Sequence, residues 1–470
     1  MNKKISLFLF IVILISGYVS LALELLAMRQ VIPYLGNDTI IASIIIGVVL
    51  IFLSIGYYAS GKLDIKKTSI RERILRNFVI STAFIFVGTS YVFLQYYFRL
   101  FEYIGLTNRI GQAFAFSLLL LAVPSYLLAQ TTPLVSNYFS KNISGSTTGQ
   151  MLFYGTMGSF AGSILTTLFI MPFLGVNYAV MFNICLITVA ILILNKRSRI
   201  EIYIACFLFV VLTFMFNNSV IERKIGILSN NEYSTVRIVD ADDGNSKLMI
   251  VNNSSSSKIS NNKELMFEYV KYIDNNFIST LPNDEPKDIL ILGAGGFTIG
   301  VDDDFNNYTY VDVDKSLLEI SEKHFLEKNL GNNKEFVVKD ARTFIMNADK
   351  KYDLIILDTY SNAFDIPTHL ITVEYFMNIK DKLKDNGIMV ANIVASPYFK
   401  NKFSTIMDNT LRSVFDNLQR QVIQNFNPWY TGNEVQYANI IYVYYNNEYK
   451  TNKIYTDNNN SVVFDKNIVK

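Results

Sequence analysis

Seven long apolar stretches in the first half of the chain constrain its fold more than any other feature of the sequence. A helix that crosses a lipid bilayer needs about 20 mostly apolar residues, and each stretch reaches or approaches that length. We therefore predict that residues 1–216 form a multi-pass transmembrane helical domain in the cell membrane, with six or seven spans. The stretches are approximately 5–27, 39–61, 77–98, 110–129, 151–171, 177–194 and 200–216.

Lysine and arginine residues in short loops predict which face of such a domain is cytoplasmic. The loop after the second stretch and the loop before the last stretch are rich in them, so we predict that both loops and the N-terminus are cytoplasmic. Seven spans then place the second half of the chain outside, whereas six place it inside. The last stretch, with only about 17 residues, is the weakest span. The basic residues are Lys62, Lys66, Lys67, Arg71, Arg73, Arg76, Lys196, Arg197 and Arg199.

The two halves of the chain carry opposite net charge. Residues 1–216 contain about 15 Lys and Arg against 6 Asp and Glu, and residues 217–470 contain about 27 against 34. An acidic soluble half argues against nucleic acid as a partner, because phosphate binding needs a basic surface, and it is compatible with a cationic ligand. Cys185 and Cys206 lie in apolar runs and only two histidines occur, so we predict neither a disulfide framework nor a metal site.

Short apolar runs alternate with helical patterns through the second half of the chain. Strands separated by helices predict a parallel, doubly wound sheet, and we assign residues 263–470 to such an α/β domain. Two late runs, 420–424 and 439–445, predict an antiparallel pair at its edge. The five strand runs are 288–292, 308–313, 335–338, 352–357 and 387–393, and the helical patterns include 315–329 and 373–384.

A smaller β region is predicted before this domain. Residues 233–241 and 247–251 alternate as strands do, and the Asp-Asp-Gly-Asn segment between them is typical of a hairpin turn. We therefore predict a linker over 217–230 and a small β-hairpin region over 231–262, whose last part is a polar stretch of serines and asparagines. The α/β domain then opens with a helix at about 263–275.

Glycines and carboxylates follow the predicted strands at their carboxyl ends, where ligands bind in doubly wound sheets. The first strand leads into Gly293, Gly295 and Gly296, which let the backbone turn tightly and approach a ligand. The full dinucleotide-binding motif is absent, since Thr298 occupies the third glycine position. Asp312 ends the second strand, where a carboxylate can accept hydrogen bonds from both ribose hydroxyls. Together these features predict a nucleoside site.

Two further aspartates end the third and fourth strands. Asp340 can accept a hydrogen bond from an adenine amino group, or it can cap the helix that starts near Arg342. Asp358 lies where a carboxylate in a cleft can accept a proton or hold a cation, or it can cap a loop. We favour the binding role for Asp340 and the proton-transfer role for Asp358.

An ordered set of short motifs runs through both halves of the chain. In the first half these are Ser16-Gly17 with Glu24 and Arg29, then Thr132-Pro133-Leu134 and Leu174-Gly175-Val176. In the second half they are Glu232-Tyr233-Ser234, Leu292-Gly293-Ala294-Gly295-Gly296, Val311-Asp312-Val313-Asp314, Asp340-Ala341-Arg342, residues 352–358, Ile366-Pro367-Thr368-His369-Leu370, Glu374-Tyr375-Phe376 and Asn386-Gly387. With these motifs the soluble half resembles the spermidine synthase family, the polyamine aminopropyltransferases. The whole chain resembles the bacterial branch of that family with a fused N-terminal membrane domain.

The resemblance implies a Rossmann-like fold of the class I methyltransferase type and an aminopropyl transfer. In this family a diamine such as putrescine attacks the carbon next to the sulfonium of decarboxylated S-adenosylmethionine, and methylthioadenosine leaves. The implied co-substrate is therefore decarboxylated S-adenosylmethionine, with no metal and no prosthetic group. The expected partners are the lipid bilayer, a small-molecule polyamine and a nucleoside, and a homo-oligomer is the assembly that the resemblance suggests.

The resemblance also implies a role for each residue of the site. Asp358 is the expected catalytic base, Asp312 is expected on the ribose, and Asp340 with Ala341 on the adenine. The residues expected to bind the nucleoside are Gly293, Gly295, Gly296, Asp312, Asp340, Ala341 and Pro367. Those expected to bind the acceptor are Ser234, Glu268, Ser361 and Asp365.

The motifs depart from the family pattern on the amine side. Gly296 stands where an aspartate usually holds the aminopropyl amine, Ser361 stands where a second aspartate is usual, and Ser234 replaces a glutamine. Glu268 lies in Phe-Glu-Tyr, where the family usually has Tyr-His-Glu. Two alternatives therefore stay open. One is a methyltransferase-like enzyme that uses S-adenosylmethionine on a membrane-delivered substrate. The other is a non-catalytic nucleoside- or polyamine-binding sensor or transporter, in which Glu24 would be a functional group.

Overall fold

The computed structural model describes residues 3–36, 39–63, 69–106, 108–139, 144–195, 199–224, 226–360, 366–423 and 437–447. In these ranges the first half of the chain is a bundle of helices, and the second half contains two sheets. The bundle consists of α1 (Lys3–Leu35), α2 (Thr39–Gly61), α3 (Ile70–Thr89), α4 (Tyr91–Tyr103), α5 (Arg109–Phe116), α6 (Ala122–Ala129), α7 (Thr131–Phe139), α8 (Ser144–Ile164), α9 (Met171–Leu174), α10 (Val176–Leu194) and α11 (Ile200–Phe216).

Five apolar helices among the described residues are long enough to cross a membrane, judged by length and composition. The pair α3 and α4 makes a sixth if it counts as one span, but its two helices meet at 70°. The bend lies at Ser90, whose backbone leaves the helical conformation (φ −83°, ψ 121°), inside the stretch predicted as one span. The last stretch forms α11, which has 17 residues and is shorter than each of the five long apolar helices.

Helices α1 and α8 pack closely because glycines face the partner backbone. A Cβ atom added to Gly158 would lie 2.1 Å from the carbonyl oxygen of Leu14, and one added to Gly17 would lie 2.2 Å from that of Gly155. Small residues that allow such close approach are typical of helix pairs in membranes.

The residues that flank the two basic loops lie at the same end of the bundle, whereas Lys66, Lys67, Lys196 and Arg197 lie outside the described residues. Arg71, at the start of α3, donates to the carbonyl oxygens of Ile193 and Leu194 at the end of α10 (2.8 and 2.7 Å). Arg199 pairs with Glu72 at 2.9 Å. These contacts bring together the segments that follow α2 and α10.

The second half of the chain is attached to the opposite end of the bundle, which α3 reaches at Thr89. Asn217, after α11, donates to Ser90 at 2.9 Å. Arg29 of α1, only 5% exposed, donates from Nε to the carbonyl oxygen of Asn231 (2.5 Å) and from Nη2 to Oδ1 of Asn230 (3.2 Å). A buried guanidinium needs such acceptors to replace lost water, so these contacts join the bundle firmly to the soluble part.

A four-stranded antiparallel sheet follows the bundle, with strand order β1-β2-β3-β4. The middle strands match the predicted hairpin. The segment predicted as a linker, 217–230, contains a helix and a strand instead, and the predicted polar stretch contains the fourth strand. The elements are α12 (Ser219–Lys224), β1 (Ile227–Asn230), β2 (Thr235–Asp240), β3 (Ser246–Val251) and β4 (Ser254–Ser260).

Strand β4 is hard to predict because serines replace the apolar residues that normally reveal a strand. It pairs with β3, so that Ser257 lies opposite Met249. The turn between them uses Asn252 and Asn253, both with positive φ (47° and 61°). Two consecutive residues of this kind are typical of a tight hairpin turn, and asparagine tolerates that conformation. This asparagine pair is the signal that the sequence analysis missed.

The larger sheet has seven strands in the order β10-β11-β9-β8-β5-β6-β7. Strands β5 to β9 pair in parallel, and β10 and β11 form the predicted antiparallel pair at the edge. The predicted Rossmann-like fold is therefore confirmed. The strands are β5 (Asp288–Leu292), β6 (Asn307–Asp312), β7 (Lys334–Val338), β8 (Tyr352–Leu357), β9 (Leu383–Ala395), β10 (Gln419–Ile423) and β11 (Ala438–Asn446).

Helices cover both faces of this sheet, and the strand order reverses between β5 and β8. Apolar residues of the strands and helices form one buried cluster on each face. The helix predicted over 263–275 begins as a short turn at Lys263–Leu265, before α13. The helices are α13 (Glu268–Ile273), α14 (Ser316–Ile320), α15 (Ala341–Met346), α16 (Val373–Asp381) and α17 (Lys402–Val414). Open α/β sheets bind ligands at such a reversal, outside the carboxyl ends of the strands.

Candidate active site

A cleft of about 1690 Å³ lies at the carboxyl ends of β5, β6, β7 and β8, and it extends to the end of the helical bundle. Nine of the residues predicted for the site line it: Gly293, Gly295, Asp312, Asp340, Ala341, Asp358, Pro367, Ser234 and Glu268. The structure therefore brings the predicted nucleoside residues together, except Gly296, which does not line the cleft. Ser361 and Asp365, predicted to bind the acceptor, lie outside the described residues.

The glycine-rich turn after β5 is held by close contacts. Gly293 has φ +97°, and a Cβ atom there would lie 2.2 Å from the carbonyl oxygen of Asp358, so only glycine fits between the ends of β5 and β8. Gly296 packs away from the cleft lining: its N–H donates to Ser257 of β4 (2.8 Å), and a Cβ atom would lie 2.4 Å from the Phe325 ring. The structure thus leaves no room at Gly296 for the aspartate usual in the family.

Asp312, at the end of β6, accepts hydrogen bonds from the backbone N–H groups of Ala294 and Asp314, both at 3.1 Å. Desolvation by the surrounding protein raises its pKa to about 6, although these donors oppose the rise. Asp314, only 2% exposed, accepts from Asn231 (2.7 Å) and from the hydroxyl of Ser234. The Ser234 hydroxyl therefore donates a hydrogen bond to Asp314. Asn231 contacts both Asp314 and Arg29, so it links this side of the cleft to helix α1.

Asp340 has the helix-capping role considered for it, and its role on the adenine stays a prediction. Its carboxylate caps α15 by accepting from the N–H of Thr343 (2.8 Å), and it contacts Nε2 of His369 at 2.9 Å. Burial raises the pKa of Asp340, but His369 and Thr343 outweigh that effect and leave it below its usual value. The neighbouring Ala341 and Pro367 also line the cleft.

Asp358 lies deep in the cleft, directly after β8. Its Oδ2 accepts a hydrogen bond from the hydroxyl of Tyr269 (2.9 Å), and its Oδ1 accepts from the side-chain amide of Asn392 (2.9 Å). Desolvation raises the pKa of Asp358 to about 6, against the lowering effect of these two donors. A carboxylate with a raised pKa, oriented by two hydrogen bonds, is suited to accept a proton near neutral pH.

Neither of the two residues that orient Asp358 was predicted from the sequence. Tyr269 directly follows Glu268, the residue that was predicted to bind the acceptor. Glu268 lines the cleft, but its carboxylate is paired with Lys271 at 2.8 Å. Asn392 is a polar residue inside the apolar run of β9, only 3% exposed, and this break in the pattern was its one signal. Among the described residues, no group of three or more His, Cys, Asp or Glu is arranged to hold a metal ion.

The parallel sheet, its glycine-rich turn and the strand-end carboxylates define a Rossmann-like domain of the methyltransferase type. Residues 266–443 match a family described as the spermine/spermidine synthase domain. The C-terminal part of the chain is therefore similar to that family.

Three relatives give the extent of the similarity. Polyamine aminopropyltransferase 2 of Hyperthermus butylicus is 31% identical over 139 residues, which are 28% of this chain and 45% of that protein. Polyamine aminopropyltransferase of Vibrio vulnificus is 30% identical over 154 residues, 31% of this chain and 50% of that protein. The crystal structure of a probable spermidine synthase from Corynebacterium glutamicum aligns with a TM-score of 0.39 and 22% identity, covering 47% of this chain and 81% of that one. The chain thus spans about half the length of the curated relatives that it matches.

Proposed function

We propose that this protein is a membrane-bound polyamine aminopropyltransferase. It moves the aminopropyl group of decarboxylated S-adenosylmethionine to an amine such as putrescine and releases methylthioadenosine. The observation that carries this proposal is the Asp358 carboxylate, held by Tyr269 and Asn392 in the cleft that Asp312 and Asp340 also line. Similarity to proteins named polyamine aminopropyltransferases supports the same activity.

In this proposal three carboxylates of the cleft, Asp312, Asp340 and Asp358, have one task each. Asp312 accepts hydrogen bonds from the ribose hydroxyls, and Asp340 beside Ala341 receives the adenine. Asp358 takes a proton from the acceptor ammonium, which frees the nitrogen lone pair for attack. A carbon–nitrogen bond then forms at the carbon next to the sulfonium, and the carbon–sulfur bond breaks. The sulfur keeps the bonding electron pair and leaves in neutral methylthioadenosine, and holding both partners in line supplies much of the rate.

Membrane attachment is the second part of the proposal. The five long apolar helices, with the bent α3–α4 pair, support it. The exposed apolar side chains on these helices, such as Leu50, Ile51 and Leu168, more than 50% exposed in the chain alone, would face lipid.

A specific observation favours a second candidate, transfer of a methyl group from intact S-adenosylmethionine. An aspartate at position 296 would repel the carboxylate that S-adenosylmethionine carries and its decarboxylated form lacks. Gly296 removes that repulsion, and Phe325 fills the space beside it. This candidate and aminopropyl transfer make opposite predictions about which of the two donors binds.

Calorimetric titration of the full-length protein in detergent tests these proposals. We expect decarboxylated S-adenosylmethionine and methylthioadenosine to bind more tightly than S-adenosylmethionine; the reverse order would favour methyl transfer. With putrescine, Asp358→Asn should lower methylthioadenosine release by roughly 100-fold or more and still bind methylthioadenosine. Asp385→Asn, at an exposed position outside the cleft, is the matched control. Full turnover by Asp358→Asn would refute the catalytic assignment.

A further inference from the structure

The cleft is built by two parts of the molecule. The soluble domain supplies the strand-end residues, and the end of the helical bundle supplies apolar residues of α1, α2 and α5: Ile32, Pro33, Leu35, Ile40 and Ile110. Pockets for single small molecules commonly measure about 300–1,000 Å³. A cleft of about 1690 Å³ therefore has room for more than a nucleoside and a short diamine.

Two apolar side chains at the bundle end of the cleft are exposed to solvent. Ile40 is 54% exposed and Ile110 is 44% exposed. Both lie in the first turns of apolar helices, α2 and α5, which belong to segments long enough to cross a membrane. If these segments cross a bilayer, their first turns lie near the headgroups, so the cleft opens where lipid headgroups lie.

Carboxylates outnumber lysines and arginines in the cleft lining, where Glu102, Glu232, Glu264, Glu268, Asp312, Asp314, Asp340 and Asp358 accompany Arg109, Lys258 and Lys339. Glu102, in the last turn of α4, and Glu232, before β2, both line it. Oε2 of Glu232 is buried and has no hydrogen-bond donor among the described residues. Lys258 is paired with Asp243 at 2.7 Å, whereas Arg109 donates to the neutral carbonyl oxygen of Leu35 at 3.2 Å and keeps its charge. A ligand with a positive charge is therefore favoured beside an apolar wall.

We propose that the acceptor is the primary amine of a membrane lipid. Its apolar chain would lie against Ile40 and Ile110, and its ammonium group would enter the acidic part of the cleft and reach Asp358. This inference rests on the proposed aminopropyl transfer and names the acceptor class. The reaction balances as before: the lipid nitrogen bonds to the aminopropyl carbon, its proton passes to Asp358, and methylthioadenosine leaves.

Reconstitution in vesicles tests this acceptor. The full-length protein is placed in vesicles of phosphatidylcholine alone or of phosphatidylcholine with phosphatidylethanolamine, and decarboxylated S-adenosylmethionine is added. Phosphatidylcholine has a quaternary nitrogen without a lone pair, so it cannot attack. We expect methylthioadenosine release at least about tenfold faster with phosphatidylethanolamine, because only its primary amine can lose a proton to a base and attack. Mass spectrometry should then find the lipid with one added aminopropyl group.

Two variants separate a lipid site from a general effect of the membrane. Ile110→Gln removes apolar surface from the cleft and should lower the ratio of lipid-amine rate to putrescine rate about tenfold. Ile104→Gln, an exposed position at the same end of the bundle outside the cleft lining, should keep that ratio. Release of methylthioadenosine with putrescine but with no lipid amine would overturn this inference and leave the proposed function intact. No release with any amine would overturn both.

Discussion

At the scale of single residues, Asp358 holds a charge that the folded protein disfavours. Its pKa of about 6, in place of 3.8, means that ionising it in the folded protein costs about 3 kcal/mol more than ionising an exposed carboxyl. The unfolded chain ionises this group first as pH rises, so its contribution to stability falls between pH 4 and 6 and stays low above pH 6. A group that weakens the fold at working pH is typical of a functional site.

Asp358→Asn should therefore stabilise the folded protein near neutral pH. The amide is neutral and can still accept the Tyr269 hydrogen bond, so we expect the free energy of unfolding to rise by up to about 3 kcal/mol at pH 7.5. At pH 4.5 the wild-type carboxyl is largely protonated in the folded state, and the gain should be much smaller. Thermal unfolding of the full-length protein at both pH values measures this, with Asp385→Asn as the exposed control. An equal gain at both pH values would contradict the assignment.

The site residues that could be predicted from the sequence are those that follow a predicted strand at its carboxyl end. Asp312, Asp340 and Asp358 directly follow apolar runs, and the ends of parallel strands meet at one edge of a sheet. Tyr269 and Asn392 orient Asp358 from 89 and 34 residues away. Such partners depend on how the elements pack, which no local pattern shows.

At the scale of elements, the turn after β5 is where the backbone has least freedom. Gly293→Ala would place a methyl group 2.2 Å from the carbonyl oxygen of Asp358 and would force an alanine into φ +97°. We expect a loss of about 1–3 kcal/mol in stability from strain alone, and weaker methylthioadenosine binding because the ends of β5 and β8 must separate. Unfolding midpoints and calorimetry measure both effects.

Gly47→Ala is the matched control for this substitution. It lies inside α2, and a Cβ atom there meets nothing within 4 Å; alanine is also the better helix former. It should leave stability equal or slightly higher and nucleoside binding unchanged. If Gly293→Ala changes stability and methylthioadenosine binding no more than Gly47→Ala does, the turn after β5 does not hold the ends of β5 and β8 rigidly.

The elements themselves were predictable where the apolar pattern is regular. All five parallel strands and the late antiparallel pair lie within a few residues of their predicted positions. Buried strands are visible in the sequence because they are short apolar runs bounded by glycines and polar residues. The pattern fails for β4, whose serines hide it, and at Ser90, where an apolar stretch continues through a 70° bend. Hydropathy records which segments are apolar and not where a helix turns.

At the scale of the whole molecule, the bundle separates its basic loops from the soluble domain. Arg71 and Arg199 mark one end, whereas Arg29 and Asn217 join the soluble part at the other. Helix α11 runs from the first end to the second and leads directly into the soluble part. The positive-inside rule places the basic end in the cytoplasm, so a bundle that spans the membrane in full carries its soluble domain on the outer face.

Cysteine labelling tests this orientation. With Cys185 and Cys206 replaced by alanine, Lys351→Cys reports on the soluble domain and Lys62→Cys on the basic end; both positions are exposed. We expect a membrane-impermeant maleimide to label Lys351→Cys in intact cells and Lys62→Cys only after permeabilisation. Protection of both sites would instead put the domain in the cytoplasm and contradict a bundle that spans the membrane in full. The first result requires the nucleoside donor to reach the outer face, whereas the second lets the cleft draw its donor from the cytoplasm and its lipid amine from the inner leaflet.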